Sequence, residues 1–179
     1  FFSLFTGCGT TVHQTQSTDF KARAESQAQG GVRVTASVLS PEETEESLTY
    51  PLADKNIQPV WIEIDNNQSN EYFLMLLSID PDYYSPSEVA WKFRGVTPSN
   101  DTRRQSLQQK IDYFLNKHIP VRIPPKSNVS GFVYTSLDPG RKAFTIEILG
   151  KNQTRTFEFF QGIPGFKPDF AAVDLSSLN

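Results

Sequence analysis

The chain is short of the residues that serve thiol, metal and imidazole chemistry. It has one cysteine and two histidines among 179 residues. A single cysteine excludes an internal disulfide framework. With only two histidines beside it, no zinc site of the usual kinds can be built, so no metal and no cofactor is implied. Long apolar runs are missing as well: nothing approaches the roughly 20 apolar residues that a membrane span needs. Positive charge is not in excess either. The net charge is −3, no basic stripe is present to neutralise phosphates, and nucleic acid is excluded as a partner. What the chain does have is aromatic bulk. Aromatics make up 12% of it, with fourteen phenylalanines, enough for one folded domain with extensions.

The regular pattern begins at Val32. Val32, Val34, Ala36 and Val38 alternate with polar residues, which predicts a half-buried strand. Ser40-Pro41-Glu42-Glu43 then predicts a short helix, with Ser as N-cap, Pro at the first helical position and Glu43 closing a capping box. Ile57 to Asn67 is the clearest strand, with Val60, Ile62 and Ile64 facing one way. The apolar run Tyr72 to Ile79 reads as a strand covered on both faces, paired with the one before it as a hairpin or antiparallel neighbour. Leu107, Ile111, Phe114, Leu115 and His118 form one apolar stripe of a helix capped at Asn100 or Asp101, with Lys110 off the stripe. Short strands follow at Val121–Ile123, Gly131–Thr135, Phe144–Ile148 and Thr154–Phe160, with turn signals between them. Their spacing is that of a sandwich or barrel. The predicted fold is therefore mainly β, an antiparallel sandwich or barrel with one inserted amphipathic helix at about 101–117 and one or two short helices.

The lone cysteine sits in Leu4-Phe5-Thr6-Gly7-Cys8. An uncharged apolar stretch ends there in two small residues, and the chain turns polar directly afterwards. This junction resembles the lipobox of bacterial lipoprotein precursors, with Phe5 where leucine is usual. The resemblance implies a thioether between the Cys8 sulfur and a diacylglycerol, cleavage before Cys8, and acylation of the new amino end. Two or three acyl chains, at about 0.8 kcal/mol per buried methylene, would anchor a domain stably. Residues 1–7 then read as a signal-peptide remnant and 8–30 as a lipid-anchored polar tether. Residues 31–166 form the β-sandwich domain and 167–179 a C-terminal tail. Gly9 after the cysteine implies an outer-membrane lipoprotein facing the periplasm. The expected partners are the membrane, through the lipid, and a protein of the cell envelope.

One loop concentrates unusual side chains: Asp80, Asp82, Tyr83, Tyr84 and, a little further on, Trp91. Two prolines punctuate it. These residues form the candidate binding loop, with a packed connector as the structural alternative. No residue is assigned as catalytic. A hydrolase would need Asp80, Asp82 and His118 to converge on one cleft. Four Asn-x-Ser/Thr sequons, at Asn67, Asn100, Asn128 and Asn152, fall on expected turns and loops, which leaves a secreted glycoprotein binding domain as a further alternative.

A second resemblance rests on Val32–Val38, on Ile57–Asn67 with its Asn turn, and on Ile123-Pro124-Pro125-Lys126 leading into Gly131-Phe132-Val133-Tyr134. These segments resemble bacterial extracytoplasmic immunoglobulin-like domains, and the resemblance implies an immunoglobulin-like antiparallel β-sandwich. Asp80-Pro81-Asp82-Tyr83-Tyr84 with Gly131–Leu137 is loosely similar to the LssY C-terminal domain. Neither resemblance brings a catalytic residue with it.

Overall fold

A computed structural model describes residues 19–98 and 105–165. Two antiparallel four-stranded sheets pack face to face. The strands are β1 (Glu25–Gln29), β2 (Val32–Val38), β3 (Ile57–Asn66), β4 (Tyr72–Met75), β5 (Arg122–Ile123), β6 (Ser127–Ser136), β7 (Arg141–Leu149) and β8 (Thr154–Gly162). The first sheet has the order β1-β2-β3-β6 and the second β5-β4-β7-β8. The helices are α1 (Pro41–Leu48), α2 (Leu76–Ile79), α3 (Pro86–Lys92) and α4 (Leu107–Lys117).

The alternation legible in the sequence is the one that builds the core. Val32, Val34, Ala36 and Val38 meet Val60, Ile62 and Ile64 on one inner face. Phe144, Ile146, Ile148, Phe157 and Phe159 supply the facing layer. Both short-helix caps form as expected: Ser40 with Glu43, and Ser85 with Glu88, each make the reciprocal capping box.

A third layer departs from a plain sandwich. Helices α1, α3 and α4 cover the outer face of the first sheet. Leu48, Val89, Phe93 and Phe114 from them pack on Trp61, Phe132 and Tyr134 from β3 and β6. The molecule is thus layered helix, sheet, sheet, with two cores sharing the first sheet.

Four expectations are corrected. The fold begins before residue 31: Glu25–Gln29 pairs with β2 through the two-residue turn Gly30-Gly31, both glycines at positive φ. That turn geometry suits the twist of a hairpin, and glycine adopts it without the steric cost of a Cβ. Phe20 packs on Trp61 and Phe132, and Arg23 pairs with Glu43, so this part of the expected tether belongs to the domain. The run Tyr72–Ile79 is not one strand. It is β4 followed by the helical turn α2, and β4 lies in the opposite sheet from β3 rather than beside it. Helix α4 is capped by Ser106 with Gln109, not by Asn100 or Asp101, which lie outside the described residues. On α4, Lys110 is buried and Leu115 exposed, the reverse of their expected places.

Several side chains tie the two sheets, and one of them is buried at the edge of β2. Gln161 of β8 accepts from the Val38 N–H and donates to the Ala36 carbonyl, both at 2.9 Å. It completes the edge of β2 beyond the end of β1, and it is 6% exposed. Gln161→Leu leaves both backbone groups without partners in a dry place, and should cost about 1–3 kcal/mol in urea denaturation. A loss below about 0.5 kcal/mol would mean that water supplies those partners.

Candidate functional site

The loop after α2 divides into a buried half and an exposed half. Asp80 is 7% exposed. Its Oδ1 accepts from the Asp82 N–H at 2.9 Å. Its Oδ2 accepts from the Ser136 N–H at 2.9 Å and the Ser136 hydroxyl at 2.7 Å. The Lys142 ammonium lies 3.4 Å from the same oxygen. Lys142 is itself 1% exposed and also donates to the Ser136 carbonyl and to Asp138 Oδ2, each at 2.8 Å. Burial pushes the Asp80 carboxyl up. The Ser136 hydroxyl, the two backbone N–H groups and Lys142 outweigh it, and the group is held below the usual carboxylate range. Asp80 therefore locks the loop to β6 and β7, and its oxygens are already engaged.

The exposed half holds the rest of the candidate loop. The Tyr84 N–H donates to the Tyr134 carbonyl at 2.7 Å, which pins the loop against β6. Tyr83 and Tyr84 are half-buried, and Asp82 is exposed. Lys92 Nζ stands 4.8 Å above the Tyr84 ring, and the Arg94 guanidinium 5.0 Å above Trp91. Trp91 is 56% exposed. Two aromatic–cation pairs thus share the outer surface around α3. Such a surface offers flat apolar area beside hydrogen-bond donors, the chemistry of a recognition patch.

The hydrolase cluster is not assembled. Asp80 is fixed to Ser136, whereas His118 bridges Phe132 on the same strand. Four residues of extended strand separate those anchors, roughly 13 Å at about 3.3 Å per residue. His118 is the C-cap of α4, and its Nε2 is buried with no partner among the described residues. Burial holds its imidazole below the ordinary histidine range, in the neutral form. Among the described residues no group of three or more His, Cys, Asp or Glu is placed to hold a metal ion.

Three buried polar residues escaped the reading of the sequence. Lys142, Lys110 and Gln161 each sit on a core-facing position. Lys110 Nζ donates to the Phe93 carbonyl at 2.6 Å and also to that of Val96, closing the C-terminal end of α3. The signal was periodicity: Lys142 shares the parity of Phe144 and Ile146, and Lys110 lies three after Leu107 and four before Phe114. Of the sequons, Asn67 and Asn152 are exposed outside strands. Asn128 lies in β6, not in a turn, and donates to Asp65. Asn100 and Cys8 lie outside the described residues.

No protein-family model, no curated protein and no solved structure matches the chain. Among the described residues no helix is long and apolar enough to cross a membrane.

Proposed function

We propose that this chain is a lipid-anchored envelope protein, held by acyl groups on Cys8, whose immunoglobulin-like sandwich serves binding or assembly. The observation that carries this reading is the stretch Leu4-Phe5-Thr6-Gly7-Cys8. The near end of the fold supports it. Asp19 and Phe20 already belong to the domain, so roughly ten residues separate it from Cys8, a reach of about 35 Å at most. A spacer of that length keeps the domain beside the bilayer surface. The two face-to-face antiparallel sheets support an immunoglobulin-like module, and the helical layer is its particular addition. The recognition patch around Trp91 and Tyr84 is the surface by which it would engage a partner in the envelope.

The test is fractionation and mass spectrometry of the protein from its native cells. The N-terminal peptide should begin at Cys8 and carry the mass of a diacylglyceryl group. Cys8→Ser should move the protein from the membrane to the soluble fraction. An N-terminal peptide that runs unmodified through residues before Cys8 sinks the proposal.

A further inference from the structure

The two sheets are covered unequally. Helices bury the outer face of the first sheet, and no described element covers the outer face of the second. The exposed large apolar residues follow that asymmetry. Phe73, Met75, Leu77, Val121, Leu149 and Phe160 all lie on or beside the second sheet; Trp91 and Leu115 lie in the helical layer. The register brings Phe73 of β4 opposite Leu149 of β7 and opposite Arg122 of β5. Phe160 on β8 carries the Arg141 guanidinium 5.3 Å above its ring. Two open grooves of about 620 and 540 Å³ furrow the face, the first around Phe73 and Leu149, the second beside Phe160. Exposed apolar area concentrated in this way marks an interaction site.

We propose that this face joins two copies of the chain. Charge argues for a second copy over a polyanion or an anionic bilayer. Arg122 and Arg141 stand on the face with Glu147 and Glu158, and Arg122 is already paired with Glu71 at 2.8 Å. Signs are mixed and balanced, so no single-sign partner is selected, and a self-contact brings no net repulsion between the faces. In an isologous contact each Arg–Glu pairing formed across the two-fold axis occurs twice. Composition agrees: Phe, Met and Arg are the types enriched at such contacts. Size points to a weak dimer. Strands β4, β5, β7 and β8 hold 4, 2, 9 and 9 residues, and at about 3.3 Å along and 4.8 Å across per residue they give on the order of 400 Å² before the side chains are contoured. A standard interface uses about 800 Å² per partner, and smaller ones serve transient contacts.

Edge-to-edge pairing is the competing way for two sheets to join, and it is obstructed along β6 and at one carbonyl of β8. Gln27 donates to the Glu158 carbonyl of β8, and Gln161 reaches across to β2. Tyr84 and Ile119 donate to the carbonyls of Tyr134 and Phe132 along β6.

Sedimentation equilibrium of the full chain, under reducing conditions, tests the proposal. The mass should rise with concentration from 20.2 kDa toward twice that value. Phe73→Asp should weaken association at least about tenfold, as expected for a central aromatic anchor. Circular dichroism should show the variant folded, since Phe73 is already 42% exposed. Leu115→Asp, an equally polar change in the helical layer, should leave the dimer intact. A wild-type chain that stays at 20.2 kDa to about 100 µM overturns the proposal. So does dissociation by Leu115→Asp but not by Phe73→Asp. A monomer that instead binds phosphatidylglycerol vesicles through Phe73 also overturns it, in favour of a lipid surface.

Discussion

Asp80→Ala should lower the stability of the domain by about 3–5 kcal/mol, the usual cost of removing one partner of a buried ion pair. The magnitude comes from what is left behind. Lys142 is 1% exposed and cannot turn to water. It would keep Asp138, whose side chain is 45% exposed, and the Ser136 carbonyl. The Ser136 and Asp82 N–H groups would lose their acceptor, and the loop carrying Tyr83 and Tyr84 would lose its tie to β6. Lys142→Met should cost less, because Asp80 keeps its other hydrogen bonds to Ser136 and Asp82. Asp80→Asn combined with Lys142→Met removes both charges together and should recover much of the loss. Urea midpoints of the wild type, Asp80→Asn, Lys142→Met and the double variant close the cycle, and additive losses in the double variant would show that the pair is not coupled. The same group sets an acid limit. Its folded pKa is depressed, so its contribution is full above the unfolded value of about 3.9 and is lost as pH falls through the folded value. Asp80→Asn should flatten the stability profile below about pH 4.

Much of the fold was legible because burial imposes a period. In β2, β3, β7 and β8 the apolar residues alternate, and each helix start with Ser-Pro-x-Glu spelled out its cap. The failures have physical causes. Strand β1, Glu-Ser-Gln-Ala-Gln, is exposed at every position, so it carries no alternation and looks like a spacer. Strand β4 shows its burial over four residues only, too few to separate a strand from the helical turn after it. The assignment of β3 and β4 to different sheets depends on contacts far apart in sequence, which periodicity does not report. The third layer left a trace that was readable: Trp61 and Phe132 are large aromatics on the face of β3 and β6 opposite the valines, and both are nearly buried. At the loop, residue type suggested a site while partners decided its use. Asp80 was read as part of a binding loop and is its anchor, because Ser136 and Lys142, more than fifty residues later, converge on it.

Gly131→Ala is the second large effect, and it tests how the helical layer is fastened. After α4 the chain passes around the edge of the first sheet. His118 bridges Phe132, the Ile119 N–H donates to the Phe132 carbonyl at 3.1 Å, and the Ile119 side chain enters the core between the sheets. Gly131 is the residue beneath this crossing. A Cβ there would stand 2.5 Å from Ile119 N and 2.6 Å from its Cα. Those are backbone atoms, so no rotamer change relieves the clash. The crossing must lift, which breaks the bond to Phe132 and loosens Ile119. A loss of about 3 kcal/mol is expected, the upper end for overpacking, because a hydrogen bond goes with it. Amides at the end of α4 and at Ile119 should exchange faster, while those of β7 and β8 change little. Gly162→Ala supplies the contrast. Among the described residues nothing lies within 4 Å of a Cβ at Gly162, and its φ is not positive, so that change should be neutral or stabilising by up to about 1 kcal/mol. Equal effects from the two substitutions would mean that the crossing at Gly131 is not a close contact in solution, and that α4 is held by its apolar face alone.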